Sequence, residues 1–306
     1  MLSEKEKNKS TIIHIGYPKT GTSWFQSELF PLVDSIQFYR HHDLPGWIFN
    51  DLSEIEMNTA SQFFDDTDKR IIISDEKFVG NVNNMYDNPA KYKRLFPNAE
   101  VIIFIRNQID KFASNYSHHI LMGGTCSISD FLFPKHMTSL FNGQKHKYDG
   151  LISSYKSVFG EDHVHTFLFE EFRDDPKGFV KRFGEIFNLS FDPEKIKFNK
   201  LVNRRLSLLG FRILRKLNLF TRNLPPYHRK SKIRKDYIFH IPYWNELTSR
   251  IIYSMNHMGL LGRKYNTEKL LGGKNIQFLT EYFAESNRNL IQIHGLKKIK
   301  EYNYPL

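Results

Sequence analysis

Short, continuously apolar runs separated by helix-length segments constrain this chain more than any other feature. Thr11–Gly16 (TIIHIG), Arg70–Ser74 (RIIIS) and Val101–Ile105 (VIIFI) are rich in β-branched residues, and His163–Phe169 (HVHTFLF) is a fourth such run. Runs of this kind predict strands buried on both faces of a sheet. Helical patterns lie between and after them. They are Trp24–Phe30 before Pro31, Lys91–Phe96 before Pro97, Ile109–Leu121 before Gly123, and Pro176–Leu189 with Phe179, Phe183, Ile186 and Phe187 on one face. Such alternation predicts an α/β fold, a parallel β-sheet flanked by helices on both faces in a three-layer sandwich. The final third reads as mostly helical, ending with Ile276–Leu290. In open sheets of this kind ligands bind where strands end and helices begin. The segments after residues 15, 74, 105 and 169 are therefore where a site is sought.

Composition agrees with a large core. Of 306 residues, 40% are hydrophobic, which is too many for a disordered chain. Residues 1–10 read as a polar tail and residues 11–306 as a single domain. The single cysteine, Cys126, excludes an intrachain disulfide framework and a Cys-rich zinc site, and points to a reducing compartment or to a chain that does not need crosslinks. With no apolar leader and no membrane-length apolar run, the expected location is cytoplasmic. His163 and His165 share one face of a strand but have no further ligand nearby in sequence, so no metal is expected.

Charge is uneven. The chain has 44 Lys and Arg against 33 Asp and Glu, a formal net charge of +11. Between Arg204 and Lys235 there are 11 basic residues and no acidic one. That asymmetry suggests a polyanionic partner, with a solvated basic face as the alternative. Leu208–Phe220 alternates apolar and basic groups at near-helical spacing. It reads equally as an ordinary amphipathic helix, a lid, or a helix making peripheral contact with a membrane surface.

The loop after the first strand is Gly16-Tyr-Pro-Lys-Thr-Gly-Thr-Ser-Trp24. Successive backbone N–H groups at a helix start form an anion-binding concavity. Gly21 removes bulk where phosphate approaches, Thr20, Thr22 and Ser23 add hydroxyl donors, and Lys19 adds a mobile charge. Gly16 and Gly21 have the spacing of the nucleoside-triphosphate P-loop, so the expected fold is P-loop-like. Thr22, however, stands where that motif has lysine, which disfavours a triphosphate kinase.

Tyr17–Trp24 resembles the 5′-phosphosulfate loop of sulfotransferases that use 3′-phosphoadenosine 5′-phosphosulfate (PAPS). Val101–Tyr116 resembles the 3′-phosphate motif of that family, in which a strand ends in Arg-Asn-Pro and a serine follows eight positions after the arginine. Arg106 and Ser114 have that spacing, while Gln108 stands where proline is usual. Arginine at a strand end suits a bidentate phosphate contact. Thr166–Pro176 resembles a third family segment, with Phe169 in place of tyrosine. Phe169 reads first as core packing. Phe283–Leu290 and Tyr304-Pro305 resemble the end of bacterial members. Trp24 reads equally as a surface for adenine and as a core aromatic.

The resemblance implies transfer of a sulfuryl group from PAPS to an acceptor hydroxyl, with adenosine 3′,5′-bisphosphate (PAP) as product and no metal required. Lys19 would stabilise the leaving group, Thr20–Trp24 would line the loop, and Arg106 with Ser114 would anchor the 3′-phosphate. A general base is also needed. The strand end Ser74-Asp75-Glu76 offers Glu76, with Asp75 as its neighbour and competitor, and the His41-His42 and His118-His119 pairs as alternatives. A carboxylate base and a basic surface favour a carbohydrate or glycolipid acceptor over a small phenol or alcohol. Nucleic acid is not the expected partner. The competing class is a non-catalytic polyanion binder working through residues 204–235.

Overall fold

The computed structural model describes residues 11–34, 36–49, 63–64, 69–133, 143–198, 206–220, 244–262 and 265–306. The tail 1–10 and the basic residues 204–205 and 221–235 lie outside them.

Five strands form one parallel sheet in the order β2-β3-β1-β4-β5. They are β1 Thr11–Gly16, β2 Ile36–Arg40, β3 Arg70–Asp75, β4 Glu100–Ile105 and β5 Val164–Leu168. The α/β fold expected from the apolar runs is the observed one. Each run lies within a residue or two of its strand, because β-branched residues buried on both faces leave little room for another conformation. β2 was not expected. Its sequence, IQFYR, is an edge strand with exposed Gln37 and Arg40, and lacks the continuous apolar run that marks the other four.

The two faces divide by the two-residue period of the strands. Ile13, Ile15, Ile71, Ile73, Val101, Ile103 and Ile105 pack toward the helices Asn88–Leu95 and Tyr148–Phe159. Ile12, Ile72, Ile102 and Phe104 pack toward Phe25, Phe30 and the helix Pro176–Phe187, which contributes Phe179, Phe183 and Phe187. A third apolar cluster lies among the helices Gln108–Leu121, Leu208–Leu217, Trp244–His257 and Gly273–Gln292. Within it Leu208–Leu217 packs as an ordinary amphipathic helix, burying Phe211 and Leu214 and exposing Arg212 and Lys216. Among the described residues no helix is long and apolar enough to cross a membrane.

Register brings the strand ends level. Ile15 pairs with Asp75, Gly16 with Phe104, and Ile105 with Leu168. The loops after β1, β3, β4 and β5 thus emerge along one edge. From β1 the chain passes toward β2 and β3 on one side, then crosses to β4 and β5 on the other. The crevice between β1 and β4 is therefore the topological switch point, the usual ligand position in such sheets.

Candidate active site

The loop after β1 is shaped by close approach. A Cβ on Gly16 would stand 2.5 Å from the Thr22 hydroxyl oxygen, so only glycine lets Thr22 fold back there. Lys19 and Gly21 have φ of 67° and 88°, the left-handed conformations that turn successive amides to one side. The first bond of the following helix runs from Trp24 N–H to the Gly21 carbonyl at 2.8 Å. The amides of Gly21, Thr22 and Ser23 precede it, where helix starts leave donors for an anion.

The threonine hydroxyls differ from expectation. Thr20 donates to the Tyr17 carbonyl at 2.6 Å and Thr22 to the same oxygen at 3.3 Å. They pin the loop rather than face the crevice, leaving backbone N–H groups and the exposed Ser23 to meet a ligand. The helix expected at Trp24–Phe30 instead runs as a short α-turn, a π-turn over Phe25–Leu29 and a 3₁₀ turn over Phe30–Leu32. Pro31, with no N–H, breaks the α-ladder there. Trp24 is 6% exposed, stacked on Phe198 at 5.7 Å and tilted against Phe172 at 4.8 Å. It sits as a core aromatic.

Arg106 leaves the end of β4 and crosses to the first loop. Its Nη1 donates to the Lys19 carbonyl at 2.8 Å, and its guanidinium lies 4.7 Å from the centre of the Phe169 ring. Phe169 thus does more than fill the core, since it carries the arginine that joins the two loops. Asn107 caps the helix Gln108–Leu121 by accepting from the Ile109 and Asp110 amides. Its amide donates to the Tyr302 and Asn303 carbonyls. The buried Glu170 accepts from the Asn107 N–H and from the Tyr304 hydroxyl, both at 2.9 Å. Burial pushes its carboxyl up, against these hydrogen bonds and the Arg106 charge.

Gln108, where the family pattern has proline, is fully buried and exchanges hydrogen bonds with Asn287 at 2.8 and 3.1 Å. Asn287 also donates to the Pro305 carbonyl at 2.7 Å. The C-terminal segment therefore holds the Arg106 turn. Ser114 is half-buried on helix 108–121.

Glu76 opens the 3₁₀ turn that follows β3, next to the end of β1. Burial pushes its carboxyl above the ordinary range, against the pull of Lys19, Lys111 and Lys145, with Asp75 adding to the rise. Lys19 is pushed down by burial, opposed by Glu76 and reinforced by Arg106. Lys145 donates to the Gly80 carbonyl at 2.6 Å and is likewise pushed down by burial, against the Glu76 charge. The competitor Asp75 is otherwise engaged. It is 4% exposed, accepts from the Lys77 amide at 2.7 Å, and contacts His41 at 2.5 Å.

Of the remaining histidines, His118 is lowered by partial burial and by Lys19, which places it at the rim of the same site. His119 is buried, with Cys126 sulfur 3.1 Å from its Nε2. His163 and His165 grip the two oxygens of Glu100 at 2.9 and 2.7 Å, at the opposite end of the sheet from the crevice.

Lys111 and Lys145 were missed from sequence. Lys111 was legible in principle, because it falls between buried neighbours on a predicted amphipathic helix, where a lysine is out of place. Lys145 follows a segment with no motif and carried no signal.

A parallel sheet whose central strand runs into a loop of outward backbone amides, with an arginine reaching over from the neighbouring strand, defines an α/β protein of P-loop-like fold. The particular family follows from comparison. The sulfotransferase domain model matches residues 9–235, and the chain belongs to that family, whose general activity is sulfuryl transfer. Similar crystal structures include two sulfotransferases. Mouse sulfotransferase SULT7A1 complexed with PAP has a TM-score of 0.50 and 16% identity, covering 97% of this chain and 89% of its own. A sulfotransferase from Alicyclobacillus acidocaldarius has a TM-score of 0.46 and 20% identity, covering 60% and 83%. At 16% identity the likeness to SULT7A1 concerns the fold. No curated protein sequence matches the chain.

Proposed function

We propose that this protein is a PAPS-dependent sulfotransferase acting on the hydroxyl of a carbohydrate or glycolipid. The observation that carries this reading is the convergence of Lys19, Glu76 and Arg106 at the β1–β4 crevice, with Arg106 bonded to the Lys19 carbonyl at 2.8 Å. The residues present suit a nucleotide with charge at two ends: a loop of outward amides on one side and a strand-end guanidinium on the other.

PAPS, when bound, supplies an activated sulfuryl group and a phosphate leaving group. Amides of Thr20 to Ser23 hold the 5′ end. Lys19 places positive charge where negative charge grows as the sulfur–oxygen bond breaks. Arg106 and Ser114 hold the 3′-phosphate, which fixes the direction of transfer. Glu76 takes the proton of the acceptor hydroxyl. Burial supports that role, since a raised carboxyl is a stronger base than a solvated one. His118 is the second candidate at the rim.

A carboxylate base and the basic segment support the glycan or glycolipid class and a peripheral membrane contact. A single cysteine supports the cytoplasm as the compartment. One continuous domain over 11–306 is part of the same proposal, because the C-terminal residues brace the Arg106 turn. Incubation with sulfur-labelled PAPS and a panel of glycans and phenols tests the reading. Label is expected to pass to a sugar hydroxyl in wild type and to be lost in Lys19→Ala. Transfer only to phenols would overturn the acceptor class, and undiminished transfer by Lys19→Ala would overturn its role.

A further inference from the structure

Beneath the crevice lies a set of polar groups that the proposed reaction does not use. Lys111, on helix 108–121, is 0% exposed, and its Nζ has no hydrogen-bond partner among the described residues. It lies 4.3 Å from the centre of the Tyr17 ring and 5.9 Å from that of Tyr148. The Tyr17 hydroxyl and His146 Nδ1 are buried and also lack a partner there, with the two rings 5.8 Å apart. Buried polar atoms without partners are costly, and three in one neighbourhood call for a reason.

The groups facing Lys111 define its problem. Tyr17 comes from the loop, Glu76 from the turn after β3, Arg106 from the end of β4, Lys145 and His146 from a 3₁₀ turn over Gln144–His146, and Tyr148 from the helix Tyr148–Phe159. Two of these are cations, and the Glu76 carboxylate is shared with Lys19 and Lys145. An ammonium wholly out of water and without a hydrogen bond among the described residues is disfavoured as a cation, and the ring faces offset only part of that cost. Burial, then Lys145 and Arg106, push Lys111 well below the ordinary lysine value, with only Glu76 opposing. Tyr17 is the first residue after β1, so Lys111 packs against the root of the loop whose amides would meet nucleotide charge.

We propose that Lys111 is a positioning residue, a reserve cation behind the loop that takes up a proton from solvent when an anionic nucleotide binds and returns it on release. This rests on the nucleotide reading given above. The amine of Lys111 gains one proton from the buffer, and no bond in protein or nucleotide breaks. The empty site is then spared a further cation beside Lys19, Lys145 and Arg106, while the filled site gains one through Tyr17.

The test is calorimetric. Adenosine 3′,5′-bisphosphate is titrated into the full chain at about pH 8.5, where histidines and nucleotide phosphates have already lost their protons. Runs in Tris and in bicine, which differ in ionisation enthalpy, give the number of protons taken up. Wild type is expected to take up about one proton more per nucleotide than Lys111→Met. Lys111→Arg, a permanent cation, is expected to lose the same uptake. A merely structural lysine would change melting temperature or affinity and leave the proton count unmoved. Equal uptake by wild type and both variants overturns the inference and leaves the nucleotide reading standing. Absence of binding by wild type in either buffer overturns both.

Discussion

The two halves of the candidate nucleotide cleft are built in opposite ways. The loop after β1 is local. Its shape comes from two left-handed residues, Lys19 and Gly21, and from Thr20 and Thr22 bonding the Tyr17 carbonyl, all within eight residues. The turn after β4 is assembled from far away. Glu170, Asn287 and the carbonyls of Tyr302 and Asn303 converge on Asn107 and Gln108 to hold Arg106 in place, and the Pro305 carbonyl in turn holds Asn287. A local loop tolerates distant change and fails when its own residues change. An assembled turn fails through residues that never approach a ligand.

The largest effect should come between the halves. Glu76→Gln is expected to lower kcat by ~10²–10⁴. In wild type the acid limb of kcat/KM should lie above the ordinary carboxylate range, because burial raises Glu76 and the base must be ionised. That limb should vanish in the variant. A limb at the ordinary carboxylate value would transfer the role to another group.

Lys19→Ala should follow, with kcat down ~10²–10³ and little change in melting temperature, since the side chain does not build the loop. Arg106→Ala should differ in kind. It removes the bond to the Lys19 carbonyl as well as the proposed phosphate contact, so nucleotide affinity and thermal stability should fall together. Equal stability in the two variants would erase the contrast between the halves.

Further from the ligand, Tyr304→Phe leaves the buried Glu170 without one donor and should cost ~1–3 kcal/mol of stability. Nucleotide affinity should weaken with it while the Lys19 loop is untouched, measurable by thermal melts with and without bisphosphate. The smallest effect is a gain. Lys111→Met should raise the melting temperature by roughly 2–6 °C near neutral pH. Folding depresses this lysine, so the unfolded chain binds more protons below its ordinary value. Wild-type stability should therefore rise with pH through that window, and the advantage of Lys111→Met should shrink.

The same contrast explains what could be read from sequence. Strands β1, β3, β4 and β5 announce themselves because burial on both faces demands unbroken apolar runs. The β1 loop is legible because all its determinants are contiguous. The edge strand Ile36–Arg40 and the helix Tyr148–Phe159 went unseen. The strand has one wet side, while the helix carries its apolar residues at 148, 151, 152, 155 and 159 among serines and Gly150. Gln108 read as a missing proline, although it is half of a buried amide pair whose other half lies 179 positions away. Nothing local to the Arg106 motif could have revealed Glu170 or the C-terminal carbonyls. The basic segment stays mostly outside the described residues.

A crystal structure with adenosine 3′,5′-bisphosphate tests the central claim most directly. The 5′-phosphate is predicted to lie on the amides of Thr20 to Ser23 beside Lys19, and the 3′-phosphate on Arg106 and Ser114, with Glu76 facing the open side. A nucleotide bound away from the β1–β4 crevice, or one with neither phosphate touching these two segments, would contradict it.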